Sequence, residues 1–376
     1  MAVTTLQKPR ELPTAPGLLQ HNILISIPRT ASNLVTHLLS LPTQPSLNPH
    51  PRNGYFFLPS LSYRLSNSTF TLPISDWNDE KRTGMVEALQ NSVSAWGAWV
   101  EEAEQQGKGT YVKEHINWTL KPYVESAFLH APDVSTYQTL EAHSTATQQT
   151  SNPTVVPDAF WTKLRVTLLI RHPALTFPSC LRTSIDNEGI AAVLSKESEV
   201  VQKWECTYRW HVLLYKFLVQ QTRSTPDGRQ DEVMRASEEE GKKAQESSQA
   251  GSSQAGSSQA PRAPLIVDAS QLQDIAFVRH YASLVNLDPS HVRTQWAATS
   301  PEQQANIPPI ERRMKDTLLS SSSILASKLD SMNIDINAEK ENWDAEFGKV
   351  LAGRLEKLVR DAMGDYGWLY ERRLRV

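Results

Sequence analysis

Cysteine is nearly missing from this chain: its 376 residues include two, Cys180 and Cys206. Two thiols make a disulfide framework implausible and fit a reducing compartment. Long apolar runs are missing too; none approaches the ~20 residues that a membrane-spanning helix needs. The first twenty residues carry prolines and charges where a secretory leader would carry an apolar stretch. A cytoplasmic protein with no membrane partner is the expectation. The net charge of −3 argues against a general nucleic-acid partner. No cysteine–histidine cluster has metal-ligand spacing, so no metal is expected. Gly107-Lys108, Gly241-Lys242 and Gly348-Lys349 all lack the Ser or Thr that would complete a G-x4-G-K-[ST] loop, which argues against an ordinary ATPase or kinase. No G-x-S-x-G elbow is present either.

What is present begins with His21 to Leu39. Ile23-Leu24-Ile25-Ser26-Ile27 reads as a short buried strand, which Pro28 ends because it has no N–H for a sheet ladder. Arg29, Thr30, Ala31 and Ser32 make a polar turn, and Leu34, Val35, Leu38 and Leu39 then mark one face of a helix. Strand, polar turn and helix form a phosphate site in outline, with Arg29 as a forked cationic donor. The competing reading is a βα unit whose Arg29 faces water.

Three more strands follow. Thr110 to Lys113 runs into Glu114-His115, Leu164 to Ile170 delivers Arg171-His172-Pro173, and Leu265 to Asp268 restores order after a low-complexity stretch. Between them the spacing predicts helices over Glu80–Glu104, Glu197–Gln220 and Ile275–Val285, with a last one marked by Trp343 to Val359. Residues 1–20 read as a loose arm, Ala131–Asn152 as a loop, and Leu41–Asn78 as disordered or a substrate-side lid. The Ser/Gln/Gly repeat inside 236–263 reads as a disordered insertion, leaving 21–235 and 264–376 as a single domain. The alternation predicts an α/β fold, a mostly parallel sheet with helices on both faces. In such sheets ligands bind beyond the C-terminal strand ends, where Arg29, His115 and Arg171 all lie.

At this point the chain resembles the sulfotransferases, P-loop-like α/β enzymes. Ile27-Pro28-Arg29-Thr30-Ala31-Ser32-Asn33-Leu34 is similar to the family's 5′-phosphosulfate loop, P-[KR]-[ST]-G-[ST]-[ST]-W/L. Val112-Lys113-Glu114-His115 is similar to its K-x-H segment, and Arg171-His172-Pro173 through Ser179 to its 3′-phosphate segment, R-[ND]-P-x5-S. A weaker fourth match is Leu265 to Asp268, a strand ending in an acidic residue. The likeness covers about 22–290. It departs at Ala31, where the family carries glycine, at Asn33, where it carries a hydroxyl residue, and at His172; Glu311-Arg312-Arg313 is the one basic stretch in place of a glycine-rich C-terminal motif.

The resemblance implies transfer of a sulfuryl group from 3′-phosphoadenosine 5′-phosphosulfate (PAPS) to a small-molecule hydroxyl, with no metal. It implies His115 as general base and Lys113 at the bridging oxygen. Arg29, Thr30, Ala31, Ser32 and Asn33 would hold the 5′ end, and Arg171 and Ser179 the 3′-phosphate. An ordinary imidazole at His115 would make turnover rise through a group near neutrality. Trp204, Tyr208 and Trp210 are adenine-stacking candidates, though a stripe at helical spacing is more often core. Tyr55-Phe56-Phe57 points to an apolar or aromatic acceptor. The rivals are an enzyme of this fold that runs a PAPS-independent dehydration or cyclisation, and a non-catalytic nucleotide-binding protein.

Overall fold

The structure, a computed structural model, describes residues 19–130, 151–223, 262–331 and 334–375. The expected arm (1–20), loop (131–152) and insertion (236–263) lie outside these residues, except for the last two positions of each.

Four strands build one sheet: β1 (His21–Ser26), β2 (Thr110–His115), β3 (Leu164–Ile170) and β4 (Leu265–Asp268), in the order β2-β1-β3-β4. All pairs are parallel, with Ser26 beside His115, Ile25 beside Leu168 and Ile170 beside Asp268. Parallel neighbours need long return connections, and helices supply them. Every residue of β1 is buried, as expected of a strand covered on both faces. Alternate side chains therefore feed two cores. Ile23, Ile25, Val112 and Leu168 pack with Trp96, Trp204 and Trp343 on one side. Leu24, Tyr111, Leu169 and Val267 pack with Val35, Leu38 and Phe277 on the other. A one-residue slip would exchange the two sets, so the register is held by both cores at once.

The helices that matter for the site are α1 (Ser32–Leu38), α2 (Leu58–Ser66), α3 (Asp79–Gln105), α4 (Pro122–His130), α5 (Pro173–Glu188), α6 (Lys196–Glu205), α7 (Arg209–Arg223), α8 (Ile275–Leu284), α9 (Pro309–Ser320) and α10 (Ile336–Glu371). The helix expected over Glu197–Gln220 is in fact α6 and α7. Cys206 leaves helical geometry (φ −90°, ψ 62°), and Tyr208, in the break, turns its hydroxyl onto the backbone of Arg171. Of the two readings of Leu41–Asn78, disorder gives way to ordered structure. This segment includes α2, and its Gly54 bridges Lys113 at the free edge of β2. Among the described residues no helix is long and apolar enough to cross a membrane.

The chain leaves β1 on one side for β2, then returns across it to β3. That reversal opens a crevice between the C-terminal ends of β1 and β3, where open α/β sheets place their ligands.

Candidate active site

A cavity of about 470 Å³ sits at that crevice. Arg29, Ala31, Ser32 and Asn33 line it from the β1–α1 turn, His115 from the end of β2, and Arg171 and Ser179 from β3 and α5. Sheet topology thus gathers three stretches that lie far apart in sequence. Thr30 and Lys113, the other two residues singled out from the sequence, stand behind that wall.

The turn after β1 is held by unusual backbone. Arg29 (φ 66°) and Ala31 (φ 69°, ψ 22°) both lie in the left-handed region. Glycine enters that region freely and alanine pays about 1 kcal/mol, so the conformation itself accounts for a glycine in the family pattern. Thr30 is buried and its hydroxyl donates to the Ile27 carbonyl at 2.8 Å, bracing the turn from below. Arg29 donates through Nε to Ser179 Oγ (3.0 Å) and through Nη1 to the Met314 carbonyl (2.8 Å), with Asp316 at 3.6 Å from Nη2.

On β2 the side chains alternate as a strand requires. Glu114 is fully buried and faces the loop beside β2, where its carboxylate accepts the Phe56 N–H; burial pushes its carboxyl up to about 8. Lys113 is 2% exposed, donates to Asn33 Oδ1 and holds its ammonium 4.5 Å from the centre of the Tyr55 ring. Burial and the nearby Lys315 bring its ammonium down to about 7. His115 shares a hydrogen bond with Ser26 through Nδ1 (3.0 Å) and lies between Tyr55 and Trp118, with ring centres 5.3 and 4.6 Å away. Burial first, then the Lys113 charge, pushes its imidazole down to about 3. The near-neutral titration expected from an ordinary imidazole is therefore corrected: in this setting the ring is neutral far below pH 7.

Arg171 is oriented by backbone. Its Nη1 donates to the Arg29 carbonyl (2.7 Å) and its Nη2 to the Lys328 carbonyl (2.6 Å), while Tyr208 brackets its own N–H and C=O. Its buried Nε has no partner, and among the described residues no carboxylate lies within ion-pair distance. Burial brings its guanidinium down to about 10, well above neutrality.

The far wall comes from 308–329, beyond the stretch in which the sequence shows a family likeness. This segment and Trp296 complete the cavity. Arg313 pairs with Asp186 and Asp316, both at 2.6 Å. Among the described residues the lining holds seven cationic side chains against two carboxylates, an excess of positive charge in a chain whose net charge is −3. The segment's only sequence signal was the basic stretch at Glu311-Arg312-Arg313. Trp118 and Trp296 also went unassigned, whereas Tyr55, expected on the acceptor side, does line the cavity. Trp204, Tyr208 and Trp210 are all fully buried, so they belong to the core and not to an adenine platform.

No family model and no solved structure matches the chain. Two curated relatives do, both called sulfotransferase ppzF. The one from Metarhizium rileyi (strain RCEF 4871) is 32% identical over 368 residues, covering 96% of this chain and 98% of the relative. The one from Metarhizium majus (strain ARSEF 297) is 33% identical over 368 residues, covering 94% of this chain and 96% of the relative. Identity of that order along nearly the whole length, on a parallel α/β sheet with cations gathered at its strand ends, means that the chain belongs to the sulfotransferase family.

Proposed function

We propose that this protein transfers a sulfuryl group from PAPS to a hydroxyl of a small, apolar or aromatic molecule by in-line displacement, with His115 as the general base. The observation that carries the reading is Arg171: a part-buried guanidinium on the cavity wall, held by two carbonyls, with no carboxylate partner among the described residues and a buried Nε left unbonded. A cation oriented in this way has its charge free for an anion. The positive excess of the lining supports the same conclusion for a ligand with several negative groups.

PAPS, when bound, supplies the sulfuryl group and a phosphate leaving group. Arg171 and Ser179 would hold the 3′-phosphate. Arg29, Ser32, Asn33 and the backbone of Ala31 would hold the 5′ end, with Thr30 keeping the turn in shape through its bond to Ile27. Ser26 occupies His115 Nδ1, which leaves Nε2 to take the acceptor's proton. A base must be neutral to act, and burial keeps this one so. Lys113 would bias the leaving oxygen as charge develops, working from behind Asn33. Tyr55, Leu58 and Trp118 would seat the acceptor beside His115, which favours an apolar or aromatic molecule.

Calorimetric titration with 3′-phosphoadenosine 5′-phosphate (PAP) tests the reading. Saturable binding that Arg171→Ala weakens is expected; no heat of binding to the intact chain overturns it. One observation favours a second reading, a PAPS-independent reaction that keeps His115 as base: Asp316 and the Met314 carbonyl already sit on Arg29. His115-dependent turnover in a protein that ignores PAP would select that reading.

A further inference from the structure

Tyr55 stands out because it carries a bulky side chain on left-handed backbone (φ 65°), a conformation that residues of its kind adopt rarely and usually where the surroundings impose it. Three contacts impose it here. Asn53 accepts the Lys113 N–H through its carbonyl (2.7 Å), and the Tyr55 N–H donates to the Lys113 carbonyl (3.0 Å). Between them Gly54 (φ 122°) passes so close to the strand that a Cβ there would lie 2.3 Å from the Lys113 carbonyl oxygen. The segment is thus strapped to β2 at the residue that carries the buried ammonium.

The ring continues the contact on the side-chain level. Its face lies 4.5 Å from Lys113 Nζ, its ring tilts against those of His115 and Trp118 with centres 5.3 and 5.4 Å away, and its hydroxyl neighbours Ser32 at the start of α1. One side chain therefore touches the residue proposed for the leaving oxygen, the proposed base and the proposed 5′ turn.

We propose that Tyr55 is a positioning residue for this site: its π face holds the Lys113 ammonium against Asn33 and keeps it charged in a place where water does not reach. The use made of that ammonium rests on the sulfotransferase reading above; its placement does not. The groups around Lys113 oppose one another. Asn33 from α1 accepts a hydrogen bond from it, Glu114 on β2 and Glu311 on α9 favour the charged form, and burial and Lys315 on α9 disfavour it. His115, also on β2, stays neutral and adds no charge near pH 7. A π face is the one remaining contact that favours the cation, and it does so without adding a carboxylate that would repel an anionic ligand.

The test reads Lys113 itself. Carbon-13 NMR of the lysine Cε signals of the full-length protein across pH 5–10, with Lys113→Arg to assign the signal, gives that lysine's titration midpoint. Tyr55→Phe, which keeps the ring, should leave the midpoint in place. Tyr55→Leu should lower it by about 0.5–1 pH unit, the shift that corresponds to loss of a desolvated cation–π contact. Tyr55→Trp, with the stronger π face, should raise it; with Tyr55→Phe it decides the matter even when the leucine variant does not fold. A midpoint that is unmoved or raised in Tyr55→Leu, or that falls in Tyr55→Trp, overturns the proposal. PAP titration of the same samples separates the two claims, because wild type that fails to bind PAP removes the sulfuryl-transfer reading and leaves the Tyr55–Lys113 result standing.

Discussion

Arg64, in the core between α2 and α4, and Arg171, at the end of β3, are surrounded in opposite ways. Arg64 is fully buried and meets the Glu125 carboxylate at 2.9 Å, with the carbonyls of Ser60, Trp118 and Leu120 taking its remaining donors. Glu125 in turn accepts the indole N–H of Trp204 at 3.1 Å. Charge and hydrogen bonds close on themselves, and nothing is left for a ligand. Arg171 has carbonyls alone, and its Nε is unbonded. The core arginine is compensated internally; the strand-end arginine keeps its charge for something that binds. Lys113 extends the second pattern, a lysine sealed off beside a ring and an amide with no carboxylate bonded to it.

The sharpest way to test this division is at His115. His115→Ala should lower turnover by ~10²–10⁴ while leaving PAP affinity within about twofold. Because burial holds the imidazole at about 3, wild-type turnover should show no acid limb near pH 6.5. It should instead fall as pH rises through about 7, where Lys113 loses its proton. A wild-type limb near pH 6.5 that vanishes in the mutant would mean that the working site is wetter than this one.

Glu125→Ala probes the other side of the comparison. It strands the Arg64 charge in the core and should cost about 3–5 kcal/mol in chemical denaturation, with PAP affinity of the folded protein unchanged. Lys113→Met should act with the opposite sign, raising stability at pH 6 by on the order of 2–4 kcal/mol even as it lowers turnover. The sign follows from linkage: the lysine titrates at about 7 when folded and near 10.4 when unfolded, so the unfolded chain binds more protons between those values. Wild-type stability from this group therefore rises over that window, and the advantage of Lys113→Met should fade as pH climbs through it. Urea titrations at pH 6 and pH 9.5 would show whether it does.

Arg171→Ala should weaken PAP roughly ten- to hundredfold while adenosine 5′-phosphosulfate, which lacks the 3′-phosphate, is bound as before. Equal losses for both ligands would remove the 3′-phosphate role. The smallest effect is expected at Asp316, whose carboxylate lies 3.6 Å from Arg29 and is itself substantially exposed. Asp316→Asn should tighten PAP by about two- to fivefold at low salt and less at high salt, since an exposed ion pair is worth ~0.2–1 kcal/mol and is screened. Weaker binding in that variant would show that Asp316 supports the ligand instead of competing with it.

Much of this arrangement was legible in the residues. Dense apolar, β-branched runs marked all four strands within a few positions, and Pro28, His115 and Arg171 marked where three of them end. Strand ends in a parallel sheet share one edge, so these neighbourhoods followed from the pattern. The break at Cys206–Tyr208 did not, because the helical stripe runs through it unchanged; what interrupts it is a hydrogen bond from Tyr208 to a backbone 37 residues earlier.

The sequence alone determined the α/β class, the order of the four strands along the chain, and the identity of the cations that follow the strands, since each of these depends on local periodicity and on which residue comes next. Only the tertiary structure decided that α9 walls the cavity. That helix buries none of its residues, and its apolar stripe of Ile310, Met314 and Leu318 lines the cavity instead of entering the core; it is placed by contacts such as the Arg29–Met314 hydrogen bond, which spans 285 residues. Only the tertiary structure, likewise, set Tyr55 over Lys113 and drew the imidazole of His115 down to about 3. Both depend on burial and on long-range register, and neither quantity is a property of neighbouring residues along a chain.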